Sequence, residues 1–112
     1  MEIHTRTIGE VHVLDISGKI TLGDATKTMR HTISDLLENG GKKILLNLTN
    51  VNYIDSSGIG ELVRSYTTVT NKGRQLKLLN LTAKVRELLV ITKLLTVFQV
   101  YENEQAAVAS FA

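Results

Sequence analysis

Apolar positions along this chain recur with two different periods, and the changes of period mark its elements. Ile3 to Thr7 and Val11 to Ser17 read as strands joined by a Gly9-Glu10 turn. The second of these alternates, with Leu14 and Ile16 on one face, Val13 and Asp15 on the other, and Gly18 expected at its end. Ala25, Met29, Ile33, Leu36 and Leu37 then recur at spacings of three and four. That is the stripe of an amphipathic helix, with Asp24 as its N-cap and Gly40-Gly41 as its stop. Lys43 to Leu48 follows as a nearly continuous apolar run, the pattern of a strand covered on both faces.

The cycle then repeats. Ile59, Leu62, Val63, Tyr66 and Val69 form a second helical stripe ending at Asn71-Lys72-Gly73, and Gln75 to Leu81 is a further strand. Thr82 caps a third helix carrying Val85, Leu88 and Leu89, Val97 to Tyr101 reads as a last strand, and Glu104 to Phe111 as a short helix. Strands alternating with helices imply right-handed crossovers between parallel strands. The expected fold is therefore a single small α/β domain over residues 1–112. Its sheet is mostly parallel and mixed, with an N-terminal antiparallel hairpin at the edge and about four flanking helices. Its core is expected to hold Leu14, Ile16, Ile44, Leu46, Leu48, Leu62, Val63, Leu78 and Leu88.

Composition narrows the function more than the fold. Hydrophobic residues make up 43% of the chain and charged ones 21%, which suits a folded globular domain rather than a disordered one. The formal charge is only +2, acidic residues lie among the basic ones, and Trp is absent, so the basic-aromatic surface that binds single-stranded nucleic acid is missing. Without cysteine there is no disulfide, thiolate metal site or thiol nucleophile. Met1 to Glu10 has no apolar run of a secretory signal, and no stretch reaches the roughly 18 apolar residues of a membrane span. The expected location is the cytoplasm.

The segment Asn50-Val51-Asn52-Tyr53-Ile54-Asp55-Ser56-Ser57-Gly58-Ile59-Gly60 stands between the buried-strand run and the second helical stripe. In open α/β sheets, sites gather outside the carboxyl ends of the strands. There a carboxylate and two hydroxyls meet unpaired backbone N–H groups and the positive end of a helix dipole. Asp, Ser and Ser are also ordinary N-cap residues, so spacing alone leaves a cap and a functional loop both open. Two glycines in a first helical turn cost roughly 1 kcal/mol each in propensity, which points to a use for them beyond stability. They keep the turn bare, so that another molecule can approach the backbone.

Leu46-Asn47-Leu48 followed by Asn52-Tyr53-Ile54-Asp55-Ser56-Ser57-Gly58-Ile59-Gly60 resembles the signature of the STAS domain (sulfate transporter and anti-sigma-factor antagonist), and the element order resembles that family over essentially the whole chain. The resemblance implies a stand-alone anti-sigma-factor antagonist. In that case a partner serine protein kinase, itself an anti-sigma factor, phosphorylates Ser56. The unphosphorylated form binds this anti-sigma factor and releases the sigma factor, and a PP2C-type phosphatase restores it. The implied partner-binding residues are Asp55, Ser57, Gly58, Ile59, Gly60 and Arg64, with Thr21 and Asp24 from the loop before the first helix. Relatives often carry an acidic residue near Lys19 or Thr21, where this chain does not. A stressosome-type scaffold and a lipid-transport accessory subunit are the alternative roles in the same family.

Other chemistry fits less well. A nucleophile elbow needs Gly two residues before its Ser, but Ile54 and Asp55 stand before Ser56 and Ser57. His4, His12 and His31 are the only histidines that could serve as its base, and His12 and His31 read as an exposed strand residue and the polar face of a helix, so an enzyme such as a small serine hydrolase is not expected. No His or carboxylate pair has metal-ligand spacing. Ser57-Gly58-Ile59-Gly60 lacks the Gly-Lys-Ser/Thr of a phosphate loop, so no metal or cofactor is expected.

Overall fold

A computed structural model describes residues 1–111. A tight turn at Gly9 (φ +60°) joins β1 (Glu2–Ile8) to β2 (Val11–Ile20), and the two pair antiparallel from Ile8 against Val11 to Glu2 against Ser17. The remaining elements are α1 (Asp24–Glu38), β3 (Lys43–Ile54), α2 (Ser56–Asn71), β4 (Gln75–Leu79), α3 (Ala83–Ile91), a 3₁₀ turn at Leu95–Val97, β5 (Val100–Tyr101) and α4 (Glu104–Ala109). The five strands lie in the order β1-β2-β3-β4-β5, with every pair after the hairpin parallel. This is the mixed, mostly parallel sheet the pattern predicts.

Two apolar layers follow from the strand period. One layer contains Leu14, Ile16, Ile44, Leu46, Leu48 and Leu78 beneath Met29, Ile33 and Leu37 of α1, Leu62 and Val69 of α2, and Val85 and Leu89 of α3. The other contains Val11, Val13, Leu45 and Leu79 beneath Ala107 of α4 and the adjoining Phe111. Of the expected core, Val63 and Leu88 are only half-buried, packing at the edge of the first layer. Asn103 caps α4 by accepting from Ala106 N at 2.9 Å, and the Lys77 ammonium donates to Ser110 O at 2.8 Å. The sheet's second face is thus closed by a very short helix held by polar contacts.

Several boundaries differ from the sequence reading. Gly18 does not end β2. It takes φ +94° at a register irregularity, and the strand continues to Ile20 beside Ile54. A bulge that glycine can absorb keeps the ladder intact. β3 likewise runs on past Leu48 through Thr49–Asn52, because pairing with β2 satisfies its backbone without a continuous apolar sequence. β4 stops at Leu79, where Asn80 adopts φ +55°, and only Val100 and Tyr101 pair as β5. Asp24 is not the cap of α1. Gly23 occupies that position at φ +109°, Thr26 Oγ1 donates to its carbonyl at 3.0 Å, and Asp24 is the first helical residue. Thr26 consequently takes the buried place expected for Ala25.

Candidate functional site

The carboxyl ends of β2 and β3 lie side by side, so the loop before α1 and the start of α2 meet at one pole of the sheet. Asp55 ties them together. Its Oδ1 accepts from Gly58 N at 2.8 Å, capping α2, while its Oδ2 accepts from Leu22 N at 3.2 Å. Its backbone N–H also donates to Ile20 O at 3.3 Å. One carboxylate thereby satisfies a first-turn amide that the helix leaves unpaired and fixes the neighbouring loop.

With Asp55 as the cap, the two serines are released from that duty. Ser56 is the first residue of α2 and is exposed, and its hydroxyl takes no hydrogen bond among the described residues. Ser57 is half-buried and does not cap the helix. The two glycines differ in kind. A β-carbon on Gly58 would collide with the Ile20 carbonyl oxygen and stand 2.6 Å from Ile54 Cγ1, whereas one on Gly60 would meet nothing within 4 Å. Gly58 therefore serves close packing of α2 on the end of β2, which corrects its assignment to an open approach surface. Gly60 alone is bare.

Ile59 is also corrected. It is 4% exposed and packs in the first apolar layer, so the side chain faces away from solvent. Arg64 is exposed on α2, Thr21 is half-buried, and Asp24 is exposed at the start of α1. The structure brings Asp55, Ser56 and Ser57 together with the Thr21–Asp24 loop and places Arg64 about two helical turns along α2.

Three features escaped the sequence reading. Leu22 is 76% exposed in the loop that Asp55 holds, and its signal was a lone apolar residue between Thr21 and Gly23. Tyr53 stands partly exposed just before the loop, with the Lys84 ammonium 5.7 Å from its ring centroid. Glu61 is buried between α1 and α2, its Oε1 3.0 Å from Arg30 Nη2 and its Oε2 4.0 Å from Arg64 Nε. The Arg64 contact has a legible i,i+3 spacing, but the link to Arg30 joins two helices and could not be read from either alone. Clefts of about 330 and 300 Å³ lie at the opposite ends of the strands around Lys43 and Gln75. No group of three or more potential metal ligands occurs among the described residues. What this pole presents is an exposed hydroxyl, that of Ser56, beside a helix end capped by Asp55.

A family model described as the STAS domain matches residues 2–107. The anti-sigma-B factor antagonist of Staphylococcus aureus is 23% identical over 105 residues, covering 94% of this chain and 96% of that protein. Among solved structures, a Thermotoga maritima protein superposes with a TM-score of 0.89 at 22% identity, covering 97% of this chain and 93% of the other. The Bacillus cell fate determinant SpoIIAA in its phosphorylated form superposes with a TM-score of 0.77 at 19% identity, covering 99% and 100%.

Proposed function

Because this chain belongs to the STAS domain family, we propose that it is an anti-sigma-factor antagonist whose binding is switched off by phosphorylation of Ser56. The observation that carries this reading is the division of labour at the start of α2. Asp55 caps the helix, leaving the Ser56 hydroxyl exposed and unbonded, so a kinase can reach it without dismantling the helix end. The name of the Staphylococcus aureus relative supports the choice of partner.

In this account the unphosphorylated protein binds a serine-kinase anti-sigma factor and frees its sigma factor. The kinase transfers the γ-phosphoryl of ATP to Ser56 Oγ, ADP leaves, and the hydroxyl proton is released. A PP2C-type phosphatase hydrolyses the ester and restores the hydroxyl. The phosphoryl group is tolerated in the fold because it sits at the positive end of α2, an offset of roughly 0.3–1 kcal/mol. The protein acts in the cytoplasm, and none of its described helices is long and apolar enough to cross a membrane. Incubation with the serine-kinase anti-sigma factor of the source organism and ATP, followed by mass spectrometry, tests the assignment. Phosphate on Ser56, absent from Ser56→Ala, is expected; phosphate on Ser57 overturns it.

A further inference from the structure

We propose that the seam between α1 and α2, beside Ser56, is a cationic docking strip that selects a partner surface rich in carboxylates. This inference rests on the proposed anti-sigma role and adds the chemistry of the partner. The only carboxylate of α2 is Glu61, and its side chain is 3% exposed. The two guanidinium groups that flank it, Arg30 from α1 and Arg64 from α2, have side chains 45% and 57% exposed. Two cations therefore share one buried anion, and the charge left at the surface is positive. Along the same seam exposed Lys27 and Lys72 are matched by exposed Asp24 and Glu38, so the two arginines over the one buried Glu61 decide its sign.

The geometry favours a macromolecular surface over a small anion. The cleft between Arg30, Ser34, Glu61, Arg64 and Ser65 is only about 30 Å³, room for a water molecule. The arginines instead turn outward, and a guanidinium bound on one side keeps further N–H donors free for a carboxylate. Glu61 pairs closely only with Arg30, across the two helices at 3.0 Å, and leaves Arg64 at 4.0 Å with its donors open to a partner. Gly60, bare and one turn before Arg64, lets a partner come close to the helix between the strip and Ser56. A partner that presents carboxylates to this strip also confronts a phosphoryl group on Ser56 with like charge. The same complementarity that drives binding would then make the switch effective.

Calorimetric titration of the source organism's anti-sigma factor tests the strip with substitutions of opposite sign. Arg64→Glu is expected to weaken binding at least tenfold at low salt, with the loss shrinking as salt screens it. Glu61→Gln keeps the shape but removes the buried anion, and is expected to tighten binding a few-fold under the same conditions. Mere damage to the helix pair would weaken both. Arg64→Gln, which adds no second carboxylate beside Glu61, is expected to weaken binding even if the reversed variant is unstable. Native binding with all variants within twofold of it overturns the strip alone, whereas no native binding overturns the anti-sigma role with it. Binding to phosphatidylserine vesicles that Arg64→Glu abolishes, with anti-sigma binding unchanged, assigns the strip to anionic lipid and also overturns it.

Discussion

Removing the Asp55 carboxylate orphans two backbone N–H groups at once, that of Gly58 in α2 and that of Leu22 in the adjoining loop. Asp55→Ala should therefore lower stability by about 0.5–2 kcal/mol, the usual loss for an N-cap. Ser57→Ala should stay within about 0.5 kcal/mol, as for a substitution that breaks no special contact. Paired urea melts distinguish them, and a larger loss for Ser57→Ala would refute the assignment of the cap. The glycines give a second contrast. Ala in place of Gly gains roughly 1 kcal/mol in helix propensity, but at Gly58 the new carbon meets the fixed Ile20 carbonyl, an overpacking worth about 1–3 kcal/mol. Gly58→Ala should be net destabilising and Gly60→Ala stabilising, as thermal melts would show. The sequence made Asp55 and Ser56 recognisable as a pair, yet adjacent hydroxyls and glycines looked equivalent there. Only the approach of β2 tells Gly58 from Gly60, and that is a contact between distant segments.

At the scale of elements, what was legible depended on whether burial or pairing makes the structure. Helices α1 and α2 and the first half of β3 bury apolar stripes, so their periods announce them. The polar second half of β3 is a strand because β2 pairs with it, and Gly18 hides a bulge that reads as a stop. The attachment of α4 was equally hidden, since it depends on charges far apart in the chain. Arg6 Nε donates to Asp15 Oδ2 at 2.6 Å, and the same guanidinium reaches Glu104 at the start of α4. Arg6 beside it holds the Asp15 carboxyl below the usual carboxylate range, against opposing desolvation and with help from Asn47. A lowered folded pKa gives stability that is complete above the unfolded value, about 3.9, and is lost as pH falls through the folded one. Native protein should therefore exceed Asp15→Asn in melting temperature at pH 7, with the gap closing below about pH 4. A gap that persists at low pH would show that the pair is not its source.

For the whole molecule, the sheet and its two apolar layers are a mount, and the proposed regulation needs only a change of charge at one exposed pole. The proposed phosphorylation of Ser56 would add about −1.5 to −2 charges there. Inside the domain the α2 terminus offsets part of that charge, but a closed interface must also strip water from the phosphate and face it with the partner's own surface. A penalty of about 2.7 kcal/mol weakens binding a hundredfold, so no refolding is required. The decisive measurement is calorimetric titration of the anti-sigma factor with unmodified and Ser56-phosphorylated protein. Affinity at least about a hundredfold lower is expected for the phosphorylated form, with the backbone amide spectrum changed only around Ser56. Equal affinities of the two forms would contradict it.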